Sequence, residues 1–261
     1  MATNRPTGDN GIAIAIEGLV NRFGRQVVHN GVDLDIKRGE VMGIVGGSGT
    51  GKSVLLRTIV GLNKRAAGRI AVLGQDTGHL SDEQWRRLQS RWGVLFQGGA
   101  LISSLTVSEN VQVPLKEHTD LSADDCVRIA AVKIALVGLA ADAANKYPSQ
   151  LSGGMKKRAG LARSLALDPE ILFLDEPTAG LDPIGAAAFD QLILSLQRSL
   201  GLTVVMVTHD LDSLVAICDR IAVLVDKRVK VGTLAELLAD DHAWIREYFH
   251  GPRARAAGIG Q

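Results

Sequence analysis

The fold of this chain is set by residues 46–53, which read Gly46-Gly47-Ser48-Gly49-Thr50-Gly51-Lys52-Ser53. The pattern is G-x-x-x-x-G-K-[ST], between a strand-like apolar run at residues 41–45 and an apolar segment at residues 54–56. Glycines at this spacing let backbone N–H groups turn toward phosphate oxygens. The lysine reaches the β and γ phosphates, and the serine can ligate Mg²⁺. The order of strand, loop and helix therefore predicts a site for a nucleoside triphosphate.

The composition is that of a globular protein with one sizeable core. The chain has 261 residues, of which 46% are hydrophobic and 22% are charged. A formal net charge of +1 gives no general attraction to nucleic acid, so we expect no nucleic-acid partner. The two cysteines, Cys126 and Cys218, lack metal-ligand spacing and are expected to be reduced thiols.

Neither a secretory signal nor a membrane-spanning segment is predicted. Residues 1–10 form a polar N-terminal tail without the apolar centre that a secretory signal requires. Nowhere does an unbroken apolar run reach the roughly 18 residues that a bilayer crossing needs. Residues 233–261 are expected to form a C-terminal extension suited to partner or dimer contacts, although a simple solvated end is the better interpretation from residue 251 onward.

Apolar periodicity predicts two kinds of β-structure. Residues 12–16 and 32–36 alternate between apolar and other residues, as half-buried strands of an antiparallel layer do. The later apolar runs are continuous, which is typical of a parallel sheet covered by helices on both faces. These runs are residues 41–45, 94–96, 171–174, 204–207 and 221–225. We therefore predict an α/β core at residues 11–97 and 167–232, with a helical subdomain inserted at residues 98–166.

Capping patterns predict where several helices begin. Ser81, Thr106, Ser122 and Thr233 are each followed three residues later by a side chain that can complete a cap. Those later residues are Gln84, Glu109, Asp125 and Glu236. Asp182 stands directly before Pro183, a further helix-start pattern.

Two adjacent carboxylates, Asp175 and Glu176, follow the apolar run at residues 171–174. Open α/β sheets bind ligands beyond the carboxyl ends of their strands. Asp175 is predicted to hold Mg²⁺, directly or through water, and Glu176 to polarise the attacking water as general base. Without the phosphate loop, a solvated turn would be the better interpretation of this pair.

A second glycine-rich segment, residues 151–155, reads Leu-Ser-Gly-Gly-Met and precedes the basic residues 156–158. A helix that starts in this way can bind anions at its N-terminus. The alternative is a loop that only needs the conformational freedom of glycine.

Taken in order, these motifs resemble the nucleotide-binding subunits of ABC transporters over residues 12–232. The resemblance includes Gln97 after an apolar run, the sequence Ala-Gly-Leu-Asp ending at Asp182, and His209 after another apolar run. It implies a P-loop NTPase (RecA-like) ABC nucleotide-binding domain with an antiparallel β layer and a helical subdomain. It also implies an ATPase homodimer, in which the signature of one protomer completes the Mg²⁺–ATP site on its neighbour's phosphate loop.

The resemblance assigns roles to residues of the signature and its surroundings. Ser152, Gly153 and Gly154 would contact the γ-phosphate of the neighbour's ATP, and Asp182 would communicate across the dimer.

Three further residues receive roles in the protomer's own ATP site. Gln97 would sense Mg²⁺ and the attacking water, and His209 would contact the γ-phosphate. Phe23 is the candidate for the aromatic ring that stacks on adenine. The alternatives are an ordinary core or turn phenylalanine for Phe23 and an unused strand-end polar residue for His209.

Two details narrow the resemblance within the family. Met155 stands where glutamine is usual, and Gln97 is followed by Gly-Gly-Ala-Leu. Both resemble the ATPase subunit of Mla- and Mce-type (MlaF-like) phospholipid transporters. That type implies an MlaE-like permease, an MlaD-like Mce-domain protein and, in many cases, an MlaB-like STAS-domain protein. It also implies a position on the cytoplasmic face of the bacterial inner membrane, with residues 97–105 receiving the permease's coupling helix.

Other functions stay open on the sequence alone. One is the ATPase of an importer for an amino acid or another small solute. A second is a soluble ABC-type mechanoenzyme of translation or DNA repair, although such proteins usually carry two cassettes or a long coiled-coil insertion. A third is a degenerate cassette acting as a scaffold, which is disfavoured because every catalytic position is filled.

Overall fold

The computed structural model describes residues 11–251 and residue 254; the predicted N-terminal tail lies outside them. The strands are β1 (Ile12–Phe23), β2 (Gln26–Lys37), β3 (Val41–Gly46), β4 (Ala67–Val72), β5 (Gln75–Asp76), β6 (Trp92–Leu95), β7 (Ile171–Asp175), β8 (Thr203–Val207), β9 (Arg220–Val225) and β10 (Arg228–Gly232). The helices are α1 (Lys52–Ile59), α2 (Asp82–Gln89), α3 (Val107–His118), α4 (Ala123–Leu136), α5 (Gly153–Ser164), α6 (Pro183–Leu200), α7 (Leu211–Ile217), α8 (Leu234–Leu238) and α9 (Ala243–His250). Within the described residues, no helix combines the length and apolar character needed to span a membrane.

An antiparallel sheet of four strands, in the order β2-β1-β4-β5, forms one layer of the fold. Strand β1 pairs antiparallel with both β2 and β4. In β2, Leu34 and Ile36 are buried and Asp33 and Asp35 are exposed. The alternation of residues 32–36 therefore correctly predicted a strand with one buried face.

The second sheet has six strands in the order β10-β9-β3-β8-β7-β6. Five of them run parallel, and β10 joins β9 antiparallel at one edge. Every residue of β7 and β8 is buried, because side chains on both faces of these strands are covered. Met42 and Ile44 pack with α1 and the antiparallel layer, whereas Leu172 and Leu174 pack with α5 and α6.

One strand differs from its prediction. The run at residues 94–96 is part of β6, which spans Trp92–Leu95. Trp92 and Gly93 pair with Ile171 and Leu172 of β7. A Cβ added at Gly93 would lie 2.0 Å from the backbone oxygen of Ser164, so only glycine fits where β6 meets α5. Glycine is unfavourable in strands in general, and close packing against α5 overrides that preference here.

Helices α3, α4 and α5 lie between β6 and β7 in the chain and share one apolar core with the sheet. The predicted helix starts are present, because side-chain oxygens accept backbone N–H groups there. Ser81, Thr106 and Thr233 form complete capping boxes, and the side chains of Ser122 and Asp182 accept from the N–H groups of Asp125 and Gly185.

The strand order brings the chemical motifs to one edge of the parallel sheet. Strands β3, β8 and β7 are neighbours and parallel, so their carboxyl ends point the same way. The phosphate loop follows β3, Asp175 ends β7 and Glu176 comes next, and His209 lies two residues beyond β8. Ligand sites of open α/β sheets lie at this edge.

Candidate functional site

The phosphate loop, residues 46–53, is closed by its own lysine. The Nζ of Lys52 donates to the backbone oxygens of Gly46 at 2.8 Å and Gly47 at 3.1 Å. Burial lowers the pKa of Lys52, and the charges of Glu176 and Asp175 oppose that effect. The ammonium is therefore held at the loop beside both carboxylates.

The loop rests on strand β2 through Gly51, the last glycine of the motif. Its φ is 98°, and an added Cβ would lie 2.4 Å from Cγ1 of Val28 and 2.7 Å from Nε2 of His29. A side chain at this position would push the loop off the antiparallel layer. Contact with the antiparallel layer therefore fixes how far the phosphate loop lies from β2.

His29 packs against Gly51 of the phosphate loop, a contact that is not predicted from the sequence. It is fully buried, and its Nδ1 lies 2.9 Å from Oδ1 of Asn21. Asn21 in turn donates to Oγ1 of Thr58 on α1 at 3.1 Å. Burial lowers the pKa of His29 to about 4, so the ring is neutral at physiological pH. This buried polar chain ties the antiparallel layer to the helix that follows the phosphate loop.

Ser53 and Asp175 form an oxygen pair suited to Mg²⁺. The Oγ of Ser53 donates to Oδ1 of Asp175 at 3.2 Å, and Asp175 is 5% exposed. Burial raises the pKa of Asp175, and the hydrogen bond from Ser53 opposes that rise. Among the residues that the structure describes, no group of three or more His, Cys, Asp or Glu could hold a metal. The Ser53–Asp175 pair fits Mg²⁺, which is commonly held by one or two protein oxygens together with substrate phosphates and water.

Glu176 and His209 meet at the ends of β7 and β8. The Nδ1 of His209 lies 2.8 Å from Oε2 of Glu176. The glutamate side chain is 15% exposed and the histidine side chain 67%. Glu176 has a φ of 51°, in the left-handed region, and its N–H donates to the oxygen of Val207 at 2.8 Å. Backbone strain of this kind concentrates at functional sites.

Gln97 is exposed and opens a short 3₁₀ turn, Gln97–Gly99, that is fastened to α5. An added Cβ at Gly99 would lie 2.7 Å from the oxygen of Lys156, so the turn packs directly on that helix. Arg163 donates to the oxygens of Gly99 at 3.0 Å and Ala100 at 2.9 Å. The two glycines after Gln97 therefore form the turn and also allow it to pack directly on α5.

The signature residues lie at the start of α5. Ser152 caps the helix by accepting the N–H of Met155 at 3.3 Å, and both Ser152 and Gly153 are exposed. An added Cβ at Gly154 would lie 3.8 Å from Leu181, which precedes Asp182. In the described part of the chain, no hydrogen bond or ion pair links these residues to the phosphate loop.

Asp182 begins α6 in the same region and is exposed to solvent. Its Oδ1 accepts the N–H of Gly185 at 2.9 Å. Ile184, two residues later, is 83% exposed.

Phe23 ends β1, pairs with Gln26 across a tight hairpin, and is 49% exposed. This exposure excludes a core phenylalanine, whereas the position beside the turn agrees with the alternative of a turn residue. A ring in this position is open to stacking on a flat ligand.

Helix α9 also reaches the site, although no site residue beyond His209 is predicted from the sequence. The indole of Trp244 packs beside the phosphate loop, since an added Cβ at Gly47 would lie 3.4 Å from its Nε1. Trp244 stacks on Tyr248 with ring centroids 4.8 Å apart. The hydroxyl of Tyr248 donates to the backbone oxygen of His209 at 3.3 Å. The aromatic residues of α9 are a weak sequence signal, because they equally suit packing in a core.

Known proteins match both the sequence and the geometry. The family model for ABC transporters (ABC_tran) matches residues 29–179. The "Probable ribonucleotide transport ATP-binding protein mkl" of Mycobacterium leprae is 38% identical over 252 residues, which are 96% of this chain and 72% of that protein. The "Methionine import ATP-binding protein MetN" of Xanthomonas euvesicatoria is 44% identical over 228 residues, 86% of this chain and 68% of that protein.

Solved structures agree with this match. The dimeric ATP-binding cassette MJ0796 in a post-hydrolysis state bound to ADP and Pi has a TM-score of 0.77 and 32% identity, covering 84% of this chain and 98% of its own. The cbiO1 protein of Clostridium perfringens, part of the transporter complex cbiONQ, has a TM-score of 0.80 and 30% identity, covering 96% of this chain and 100% of its own. The chain therefore belongs to the ABC transporter family, as an ATP-binding subunit with the ABC cassette fold that hydrolyses ATP with Mg²⁺.

Proposed function

We propose that this chain is the ATPase of an Mla- or Mce-type transporter that moves phospholipid across the bacterial envelope. The observation that carries the proposal is the pair of segments at residues 96–101 and 151–158, which read Phe-Gln-Gly-Gly-Ala-Leu and Leu-Ser-Gly-Gly-Met-Lys-Lys-Arg. Both segments are in contact, because Gly99 packs on the backbone of Lys156 and Arg163 binds the oxygens of Gly99 and Ala100.

Hydrolysis in this proposal depends on Glu176 as general base. His209, whose Nδ1 lies 2.8 Å from the carboxylate of Glu176, contacts the γ-phosphate. Lys52 contacts the β and γ phosphates, and Ser53 and Asp175 hold Mg²⁺ together with Gln97. Bound Mg²⁺ neutralises charge that develops on the phosphate oxygens.

The same site is completed by a second copy of the chain. The exposed Ser152 and Gly153, together with Gly154, present a helix N-terminus, which attracts phosphate, to the γ-phosphate of ATP on the partner protomer. Asp182 and the exposed Ile184 lie in the same interface. Phe23, with an exposed ring, stacks on adenine.

Transport follows from coupling the ATP cycle to a permease. Residues 11–97 and 167–232 form the ATP-binding core, residues 98–166 the helical subdomain, and residues 97–105 the surface for an MlaE-like permease. Ile102 on that surface is 42% exposed. Closure around ATP shifts the permease only as far as the permease binds the closed and open dimers differently. MlaD-like and MlaB-like proteins complete the assembly, on the cytoplasmic face of the inner membrane.

A second candidate function is favoured by the names of the relatives. MetN, at 44% identity, is described as a methionine import protein, and mkl, at 38%, as a ribonucleotide transport protein. On that basis the chain would energise the import of a small solute through a different permease.

Affinity purification of the full chain from detergent-solubilised membranes tests these functions. We expect a multispan permease together with an Mce-domain protein, and ATP-dependent movement of a fluorescent phospholipid once the complex is reconstituted in vesicles. Recovery of a small-solute permease with its binding protein would favour the second candidate. Recovery of ribosomes or DNA-repair proteins would contradict both.

A further inference from the structure

Lys157 is a buried lysine for which the site described above gives no use. It lies on α5 and is 6% exposed, and its Nζ donates to the backbone oxygen of Glu176 at 3.1 Å. Among the described residues, no Asp or Glu oxygen lies within the 4.0 Å of an ion pair to it. Lys133, the other buried lysine of the helical region, is by contrast ion-paired with Asp168. A buried charge without a direct ion-pair partner costs free energy, so the presence of lysine here calls for a reason.

The acceptor is the main chain of Glu176, which has the left-handed φ of 51°. Its N–H is held by Val207 at 2.8 Å, and its oxygen also accepts the N–H of Ala179 at 3.3 Å. Lys157 adds a shorter bond in which the donor is charged, and such bonds are the stronger kind. The peptide groups on both sides of Glu176 are therefore anchored, one to β8 and the other to α5.

Anchoring the main chain fixes the backbone from which the Glu176 side chain extends, and so limits where its carboxylate can lie. The side chain is 15% exposed and lies 2.8 Å from His209. Burial lowers the pKa of Lys157, and the charge of Glu176 opposes that effect, so the ammonium and the carboxylate also attract each other. A general base works only within hydrogen-bonding reach of the proton it removes, and a misplacement of about 1 Å can cost about 100-fold in rate.

We propose that Lys157 is a positioning residue for ATP hydrolysis, whose hydrogen bond to the oxygen of Glu176 directs the carboxylate at the attacking water. The proposal rests on the proposed role of Glu176 as general base. Lys157 lies one helical turn after Gly153 and Gly154 on α5. The helix that presents the signature therefore also supports the glutamate of its own protomer.

A double-mutant cycle in the full chain tests this role, using Lys157→Met, Glu176→Gln and the double variant. The rate of ATP cleavage in a single turnover is measured at saturating ATP, together with the ATP affinity and the Tm. We expect Lys157→Met to lower the rate about 10- to 100-fold while the affinity changes less than about twofold. In the Glu176→Gln background the same change should have no further effect on the rate, because Lys157 acts through Glu176.

Lys133→Met is the matched control. It removes another buried ammonium from the same helical region, so it should lower the Tm and leave the rate per folded protein unchanged. Lys157→Gln keeps an N–H donor and should lose less of the rate than Lys157→Met. It also replaces Lys157→Met in the cycle if that variant does not fold.

An unchanged rate in Lys157→Met would overturn the inference, and so would an equal loss of rate with and without Glu176. A rate in Lys157→Gln below that of Lys157→Met would do the same. Near-normal turnover in Glu176→Gln, by contrast, would refute the general-base role itself. A slow Glu176→Gln beside a normal Lys157→Met would defeat the inference for Lys157 alone.

Discussion

Glu176 combines a largely buried carboxylate with a backbone conformation that non-glycine residues rarely adopt. Its φ is 51°, and its neighbours Val207 and Lys157 hold the peptide groups on either side. The arrangement suits the proposed general base, which must face one reacting atom.

Replacing Glu176 by glutamine should lower ATP turnover by about 10²- to 10⁴-fold, the range for loss of a general base. Glutamine has nearly the same shape and removes only the charge, so ATP binding should persist. Steady-state hydrolysis and an ATP titration check the two parts. Glu170→Gln is a suitable control, because Glu170 forms ion pairs with Arg38 and Arg91 away from the phosphate loop. Near-normal hydrolysis in Glu176→Gln would be inconsistent with the role.

The buried carboxylate of Asp190 should make the stability of the protein depend on pH. It is 4% exposed and accepts a hydrogen bond from Ser213 at 2.7 Å, and burial raises its pKa from 3.8 to about 6. Between those two pH values the folded protein binds a proton that the unfolded chain has lost. The free energy of unfolding contributed by Asp190 therefore falls as pH rises through this window, and the loss is complete above pH 6.

Asp190→Asn should therefore raise the Tm at pH 7.5, by about 2–4 °C for each kcal/mol regained, and the gain should shrink toward pH 4. Thermal unfolding of both proteins at the two pH values measures this difference. Asp33→Asn, at an exposed position, serves as the control. An equal gain in Tm at both pH values would show that burial of the charge is not its cause.

Among the secondary-structure elements, α9 has an unexpected position. Trp244 packs beside Gly47 of the phosphate loop, and Tyr248 binds the backbone of His209. One short helix thus contacts two loops that follow different strands of the sheet. A conformational change in either loop on nucleotide binding should therefore alter the surroundings of the aromatic rings of α9.

The chain has three tryptophans, and Trp244 alone among them borders the phosphate loop in the described structure. Binding of Mg²⁺–ATP should therefore change the tryptophan fluorescence through Trp244. Trp244→Phe should abolish the response, whereas Trp85→Phe, at a residue packed on Trp92, should retain it. Persistence of the full response in Trp244→Phe would contradict the proximity of α9 to bound nucleotide.

In the proposed dimer, the two groups of functional residues face different copies of the chain. Lys52, Ser53, Asp175 and Glu176 gather at one edge of the sheet, while the signature at the start of α5 is joined to them by no hydrogen bond within the described residues. On this proposal each copy presents two incomplete halves of a site. Head-to-tail pairing of two copies would supply both halves twice.

Glu176→Gln with Mg²⁺–ATP should form a dimer, because binding persists while hydrolysis, which would release the dimer, is slow. Light scattering coupled to size-exclusion chromatography measures the mass with and without ATP. Adding Gly153→Glu should keep the protein monomeric, because a negative charge at the exposed helix start repels phosphate. If Glu176→Gln stayed strictly monomeric at saturating ATP, even beside its permease, the proposed dimer with two shared ATP sites would be contradicted.

Much of the site could be predicted because its signals are local. A glycine-rich loop, a cap such as Thr106 with Glu109, or a carboxylate at the end of an apolar run depends on residues only a few positions apart. The strand predicted at residues 94–96 spans Trp92–Leu95 instead. Its start could not be predicted, because glycine at position 93 is required by close packing on Ser164, which lies far away in the sequence.

The residue types that bind phosphate and Mg²⁺, and the alternation that separates the antiparallel layer from the parallel sheet, follow from short-range pattern and backbone preference. The side chains that position these residues do not follow from such local patterns. Lys157 meets Glu176 across 19 residues and Tyr248 meets His209 across 39. His29 lies under Gly51 because β2 packs against the phosphate loop. Such pairs have no periodicity, and they exist only once helices and sheets have packed at one particular distance.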